Sequence, residues 1–154
     1  AEYFAIYLKN LENIKIGKFE ERIDDRIQTF QIKYTSEELK NFQADRNLFS
    51  GNIFILTSNV TFSSAMLFAR DFSDNNLATL VGEIPGNSPT SFGDISNHKY
   101  YTPNSKLGFN TTYKKFYRPD KTKDTNKLIP DVQVTAKDAL NKVYEIIKKY
   151  NGKS

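Results

Sequence analysis

Residues 52–83 read NIFILTSNVTFSSAMLFARDFSDNNLATLVGE, and this stretch decides the fold. Its first part, residues 52–57, is a short apolar run bounded by polar turn residues, which is typical of a strand buried on both faces. Residues 62–72 then place apolar side chains at helical spacing, with Thr61 available as the N-cap. Residues 77–82 form a second apolar run. The stretch therefore predicts a strand, a helix and a second strand that is parallel to the first.

Segments on either side of this unit predict further elements. Residues 27–34 alternate apolar and polar side chains, as a half-buried strand does. Residues 36–43 follow a capping-box pattern and should form a short helix. After a loop rich in glycine, proline and serine at residues 83–94, two strand-like stretches at residues 98–102 and 107–117 are separated by turn residues. These two stretches predict an antiparallel extension of the sheet.

A helix is predicted at the C-terminal end of the chain. Thr135 and Asp138 form a variant of the capping box. The apolar face of the helix that follows consists of Ala136, Ala139, Leu140, Val143, Ile147 and Tyr150. We expect Leu140, Val143 and Ile147 to be buried against the sheet. The pattern as a whole predicts an α/β fold with a mostly parallel sheet, an antiparallel extension and this C-terminal helix.

The composition suits a single globular domain over residues 1–154. Hydrophobic residues make up 38% of the chain and aromatic residues 14%, which is enough for one core. The 22 lysines and arginines exceed the 18 aspartates and glutamates only slightly and form no long block, which favours solubility over a nucleic-acid surface. Residues 114–123 interleave basic and aromatic side chains as single-strand binders do, but a solvated strand and turn is the interpretation we prefer.

Several kinds of site are missing from the sequence pattern. The chain contains no cysteine, which excludes disulfides, thiol catalysis and cysteine-ligated zinc. No apolar run approaches the roughly 18 residues that span a bilayer. Asp120, Asp124 and Asp131 are spaced acids in a polar region, but they lack the spacing of an EF-hand and are better interpreted as solvated turn residues. The sequence therefore predicts no metal, no cofactor, no nucleic acid and no membrane-spanning segment.

The junction between the predicted strand and helix is the candidate for chemistry. Ser63 and Ser64 lie there, where the first N–H groups of a helix are unpaired and the helix dipole is positive. An alkoxide or a tetrahedral oxyanion would be stabilised at this position. On the local pattern alone a second interpretation stays open, in which Thr61, Ser63 and Ser64 only cap the helix.

The wider segment resembles the nucleophile region of the tail-specific (C-terminal processing) serine peptidases. The shared pattern is T-x-S-S-A starting at Thr61, a helix rich in Phe and Ala, and a strand that ends in Val-Gly-Glu at residues 81–83. In an alignment without gaps the family's nucleophile falls on Ser63, with Ser64 as the second choice. The resemblance covers about residues 52–150 and implies a crotonase-like ββα architecture and a serine endopeptidase. It also implies that the N–H of Ser64 helps to hold the oxyanion.

The residues that serve as general base in the family have no counterpart at the matching positions of this chain. One branch of the family uses a lysine in the loop after Val-Gly-Glu, but Ser88 stands there and residues 83–98 contain no lysine. A tricorn-like branch uses a histidine before the nucleophile and an acid, whose position matches Asp124. The only histidine, His98, follows the nucleophile, and a surface strand residue is its preferred interpretation. The chain thus resembles the C-terminal portion of a longer catalytic domain, whose missing N-terminal part supplies the base.

Three functions remain open on the sequence. The leading one is a serine peptidase that acts on peptides or unfolded proteins, is located outside the cytoplasm, and is inactive as this isolated chain. The alternative is a non-catalytic homologue that binds a peptide or partner and has lost the general base. A further alternative is a small-ligand-binding or acyl-transfer domain of the crotonase-like architecture, because a fold does not fix a function.

Overall fold

The computed structural model describes residues 14–23, 26–31, 49, 51–95 and 99–151. The strands in these ranges are β1 (Lys18–Ile23), β2 (Arg26–Gln31), β3 (Phe54–Thr57), β4 (Thr79–Gly82), β5 (Ser91–Ile95), β6 (Tyr100–Tyr101), β7 (Gly108–Phe109), β8 (Thr112–Phe116) and β9 (Val132–Gln133). The helices are α1 (Ser64–Asp74) and α2 (Ala139–Asn151). The short helix predicted at residues 36–43 and the strand position of His98 lie outside the described residues.

The predicted strand, helix and strand are confirmed by β3, α1 and β4. β3 and β4 pair in parallel, with Phe54 opposite Thr79 and Thr57 opposite Gly82. β9 adds a third parallel strand on the other side of β4, so the order is β3-β4-β9. The prediction that the first strand is buried on both faces is wrong, since Leu56 is 44% exposed. The reason is that, among the described strands, β3 lies at an edge of this sheet and β4 lies at its centre.

The two faces of the parallel sheet carry separate apolar clusters. On one side, Met66 and Ala69 of α1 pack with Leu80 of β4 and with Leu128 from the segment before β9, and all four side chains are fully buried. On the other side Val81 of β4 packs against Ala139 and Val143 of α2. Burying each large apolar side chain of this kind stabilises the fold by about 1.5–3 kcal/mol. β4 is therefore held between the two helices.

The C-terminal helix is confirmed, but its predicted burial is only partly correct. Val143 is buried at 6% exposure, whereas Leu140 is 49% exposed and Ile147 is 36% exposed. Ala139 and Val143 are four residues apart and share the face that meets the sheet. Leu140 follows Ala139 directly and is rotated by about 100° around the helix, which turns it away from that face.

The antiparallel extension is confirmed and is larger than predicted. β2, β1, β8 and β5 form one four-stranded sheet in that order, and β6 pairs with β7 in a separate hairpin. Phe19 of β1 lies between two rings, 5.0 Å from Phe30 on β2 and 5.6 Å from Phe116 on β8. The strand predicted near residue 27 is present as β2, but all six of its residues are exposed rather than half-buried. β2 is exposed because it forms an edge of the sheet that the described strands build.

Candidate active site

The loop between β3 and α1 is closed by its own hydrogen bonds. The N–H of Ser58 donates to Thr61 Oγ1 at 2.9 Å, and the N–H of Thr61 donates to the carbonyl oxygen of Ser58 at 2.9 Å. The predicted role of Thr61 as the N-cap is wrong, because its hydroxyl bonds within this turn and the helix starts at Ser64. The residue at the N-cap position is Ser63.

Ser63 has an unusual backbone conformation. Its φ is 52° and its ψ is −127°, and its side chain makes no capping hydrogen bond. A residue other than glycine in such a conformation costs on the order of 1–3 kcal/mol and persists only where its surroundings hold it. The side chain is exposed. A serine on a sharp, strained turn from a strand to a helix has the geometry of a nucleophile elbow, and the interpretation in which it merely caps the helix lacks the required bond.

Ser64 is the first residue of α1, where the backbone N–H groups have no partner within the helix. The next N–H, that of Ala65, is already used by the carbonyl oxygen of Phe62 at 3.2 Å. Among the described residues no acceptor contacts the N–H of Ser64. The first turn of α1 also contains no acidic residue that would neutralise the positive end of the helix. This end of α1 is therefore suited to hold a negatively charged oxygen.

Two glycines let the loop after β4 approach this turn closely. Gly82 has φ of 137°, and a Cβ added there would lie 2.0 Å from the carbonyl oxygen of Thr57. A Cβ added at Gly86 would lie 2.1 Å from the carbonyl oxygen of Asn59 and 2.4 Å from the ring of Phe62. Real Cβ contacts are never this short, so any side chain would push the loops apart. The segment from Gly82 to Gly86 thus supports the turn that carries Ser63.

Glu83 connects three segments around this turn, which the sequence did not predict. Its N–H donates to the carbonyl oxygen of Thr57 at 3.0 Å, and its own carbonyl oxygen accepts from Thr57 Oγ1 at 2.8 Å. Its carboxylate accepts from the N–H of Ala136 at 3.0 Å and from the N–H of Asn59 at 3.2 Å. These two bonds lower the pKa of Glu83. In the sequence Glu83 was visible only as the last residue of the Val-Gly-Glu motif.

Asp124 lies at the opposite end of α1 from Ser63. Its Oδ1 accepts from the N–H of Asn126 at 2.7 Å, and its carbonyl oxygen accepts from Nη1 of Arg118 at 2.5 Å. The same guanidinium binds the carboxylate of Asp74, the last residue of α1. An 11-residue helix is about 16 Å long. The contacts of the described residues therefore bring Ser63 and Ser64 together but do not bring Asp124 to them.

The other acids of the C-terminal region have protein partners. Asp120 accepts from Nζ of Lys15 at 2.6 Å and from Oγ1 of Thr122 at 2.6 Å, which lowers its pKa strongly. Asp131 accepts from the N–H of Leu80 at 2.8 Å. Over the described ranges, no group of three or more histidine, cysteine, aspartate or glutamate residues is arranged to hold a metal ion.

The basic stretch that follows β7 is also paired. Lys114 Nζ lies 2.9 Å from Asp94 Oδ2 and 5.2 Å from the ring centre of Phe19. Lys115 Nζ lies between two rings, 5.0 Å from that of Tyr117 and 5.6 Å from that of Phe92. The cations of this half-buried strand therefore rest on an acid and on aromatic rings.

A separate cavity lies at the N-terminal ends of β3 and β4. It is lined by Phe49, Gly51, Asn52, Ile53, Ser73, Asn76, Leu77, Ala78, Thr79, Lys123 and Asp131. Ser63 follows the C-terminal end of β3 and is not part of this lining. In open α/β sheets chemistry is found at the carboxyl ends of the parallel strands, which is where Ser63 lies. We therefore place the candidate active site at Ser63 rather than at the cavity.

Comparison with known families identifies the chain as a serine peptidase domain. The model of peptidase family S41 matches residues 10–134, which is most of the 154-residue chain. The chain therefore belongs to peptidase family S41, the family of the tail-specific (C-terminal processing) peptidases that its sequence resembles. No curated protein matches the chain. In the part of the chain that the structure describes, no helix is long and apolar enough to cross a membrane.

Proposed function

We propose that this chain hydrolyses peptide bonds, as part of a complete peptidase, with Ser63 as the nucleophile. The observation that carries the proposal is the exposed hydroxyl of Ser63 on a strained turn between β3 and α1, free of any capping hydrogen bond. The strained backbone fixes the direction of the Cα–Cβ bond from which the hydroxyl of Ser63 meets a substrate. Membership of a serine peptidase family supports the same assignment.

The proposed reaction uses the hydroxyl of Ser63 and the backbone N–H of Ser64. Ser63 Oγ attacks the carbonyl carbon of the scissile bond and gives its proton to a base, which forms a tetrahedral intermediate with a negatively charged oxygen. The N–H of Ser64 donates to that oxygen at the positive end of α1. The intermediate collapses when the C–N bond breaks and the amine leaves with a proton. Water then hydrolyses the ester on Ser63 and releases the acid product.

The proposed general base is not one of the residues that the structure describes. No described residue forms a hydrogen bond with the hydroxyl of Ser63. A serine hydroxyl is a poor nucleophile until a base removes its proton. We propose that a part of the protein N-terminal to this chain supplies the base, that peptides or unfolded proteins are the substrates, and that the isolated chain has no appreciable activity.

The predicted role of Asp124, as the acid that supports this base, stays a proposal that one substitution tests. If Asp124 acts in this way, Asp124→Asn in the full-length protein lowers kcat by about 100-fold or more, because general acid–base catalysis contributes at least this much. Asp94→Asn is the matched control, since Asp94 is an exposed acid paired with Lys114. An unchanged kcat would leave Asp124 with the turn contacts that the structure shows.

The test of the nucleophile uses a serine-reactive phosphonate on the full-length protein. We expect the label on Ser63, and Ser63→Ala should remove both labelling and turnover, by at least about 1,000-fold. Ser64→Ala is the matched control and should leave a measurable rate, because a backbone N–H survives the substitution. If the two variants behave the other way round, Ser64 is the nucleophile. A full-length protein that neither takes the label nor cleaves peptides would be the non-catalytic homologue.

A further inference from the structure

We propose that Glu83 is a positioning residue, which holds the loop before Ser63 in place by tying it to the first turn before α2. The proposal rests on the proposed function of Ser63. Its basis is the position of the Glu83 carboxylate between two backbone N–H groups, those of Asn59 at 3.2 Å and Ala136 at 3.0 Å. These donors lie 24 residues before and 53 residues after Glu83 in the sequence.

The backbone of Glu83 cannot shift relative to β3. Thr57 holds it from both sides, because its carbonyl oxygen accepts the N–H of Glu83 and its hydroxyl donates to the carbonyl oxygen of Glu83. Thr57 is itself buried, at 2% exposure. The preceding Gly82 packs so closely on Thr57 that a Cβ would lie 2.0 Å from its carbonyl oxygen. The carboxylate of Glu83 therefore starts from a fixed point.

The far end of the connection is fixed as well. The N–H of Val134 donates to the carbonyl oxygen of Gly82 at 3.1 Å, which anchors the chain just before Ala136. Thr135 Oγ1 bonds to Oδ2 of Asp138, and the N–H of Asp138 donates to the carbonyl oxygen of Thr135 at 3.0 Å. Glu83 therefore links the Ser63 loop to a turn that is already closed and anchored on β4.

The loop between β3 and α1 needs such an anchor. Residues 58–61 are closed into a turn by bonds between Ser58 and Thr61, but these bonds do not fix the turn to the rest of the protein. The N–H of Asn59 provides a fixed point inside the turn through Glu83. Ser63 then takes up its strained φ of 52° two residues beyond the turn. Strain of this kind persists only where the surrounding contacts determine it.

A carboxylate is the group that can make this connection. Its two oxygens accept hydrogen bonds from two separate donors, whereas a glutamine side chain has one accepting oxygen and an NH₂ group that would face the second N–H. An aspartate has the same charge, but its side chain is one methylene shorter and reaches only one of the two donors. Both substitutions should therefore loosen the loop without removing Ser63.

The test compares kcat and KM of Glu83→Gln and Glu83→Asp in the full-length protein with those of the parent and of Ser63→Ala. We expect kcat to fall by roughly 10- to 100-fold in both Glu83 variants while KM changes less than about twofold, because misplacement of a reacting group affects the chemical step. Glu145→Gln is the matched control, since Glu145 is an exposed acid on α2. Amide hydrogen exchange of the peptide that contains Asn59 should become faster in both Glu83 variants and should stay unchanged in Glu145→Gln.

The outcomes separate this proposal from the proposed function. If Ser63→Ala abolishes turnover and both Glu83 variants have the kcat and KM of Glu145→Gln, Glu83 has no positioning role and Ser63 remains the nucleophile. If Ser63→Ala retains turnover, the proposed function fails. A loss of melting temperature in both Glu83 variants, with kcat and KM affected together, would assign Glu83 a structural role only and overturn the proposal.

Discussion

The guanidinium of Arg118 lies against the carboxylate of Asp74 in a fully desolvated pair. Nε of Arg118 is 3.0 Å from each carboxylate oxygen of Asp74, and Nη2 is 2.8 Å from Oδ1. The side chains are 4% and 0% exposed. The N–H of Asp120 also donates to Asp74 at 3.1 Å, and Nζ of Lys123 lies 3.6 Å away. The pair thus ties the end of α1 to the turn that follows β8.

Removing one partner of this pair is expected to destabilise the fold strongly. Asp74→Asn leaves the buried guanidinium of Arg118 without its counter-ion, and breaking a buried pair in this way costs about 3–5 kcal/mol. Urea unfolding of the variant and its parent measures the change. The exposed pair of Lys142 and Glu145 provides the control, because Glu145→Gln should leave the midpoint unchanged. Equal midpoints for all three proteins would contradict the structural role of Asp74.

Gly82→Ala is expected to separate β3 from β4. The new Cβ would lie 2.0 Å from the carbonyl oxygen of Thr57, and alanine would also be strained at φ of 137°. Together these effects should lower the free energy of unfolding by roughly 3 kcal/mol or more. At Gly108 a Cβ meets only the ring of Tyr101 at 3.2 Å, so Gly108→Ala should be tolerated. Equal stability of the Gly82→Ala and Gly108→Ala proteins would contradict the close packing of Gly82 against Thr57.

Because the backbone of Ser63 is strained, glycine is expected to be more stable than alanine at this position, which is the reverse of the order within a helix. Because its φ is 52°, Ser63→Gly should be more stable than Ser63→Ala by about 1 kcal/mol. At Ser64, which begins α1, the order should be reversed, with alanine the more stable by about 0.5–1 kcal/mol. Thermal unfolding of the four variants gives both comparisons. Alanine as the more stable residue at both positions would show that Ser63 is not strained.

The stability of the protein is expected to fall in acid. Lys15 and Thr122 lower the pKa of Asp120 far below its ordinary 3.8, and the N–H groups of Ala136 and Asn59 lower that of Glu83 below 4.5. The folded state then binds protons less readily than the unfolded state at both groups. Their contribution is present above about pH 4.5 and is lost as the pH falls through the lowered folded values. Asp71 acts in the opposite direction, since burial raises its pKa.

Unfolding by urea between pH 7 and pH 2 measures this dependence, and Asp120→Asn serves as its control. The variant has no carboxyl group at this position to titrate, so the difference in stability between parent and variant should shrink as the pH falls. A difference that stays constant down to pH 2 would contradict the ion pair of Asp120 with Lys15.

The local pattern of the sequence determined the central unit of the fold and the candidate nucleophile. The apolar runs at residues 52–57 and 77–82 and the helical spacing between them predicted β3, α1 and β4, because these periodicities are set by neighbouring residues. The pattern around Ser63 together with Val-Gly-Glu at residues 81–83 identified the family. Both depend on short segments, which is why they were visible without coordinates.

Only the tertiary structure decided which predicted faces are buried and which distant groups meet. Leu56 and Leu140 belong to apolar patterns, yet both are exposed. Leu56 lies on β3, an edge strand among the described strands, and Leu140 is turned away from the sheet. Periodicity does not report strand order. Glu83 meets the N–H of Ala136 across 53 residues, and Arg118 meets Asp74 across 44. Contacts at such separations leave no periodic signal, because periodicity reports only on residues that are neighbours along the chain.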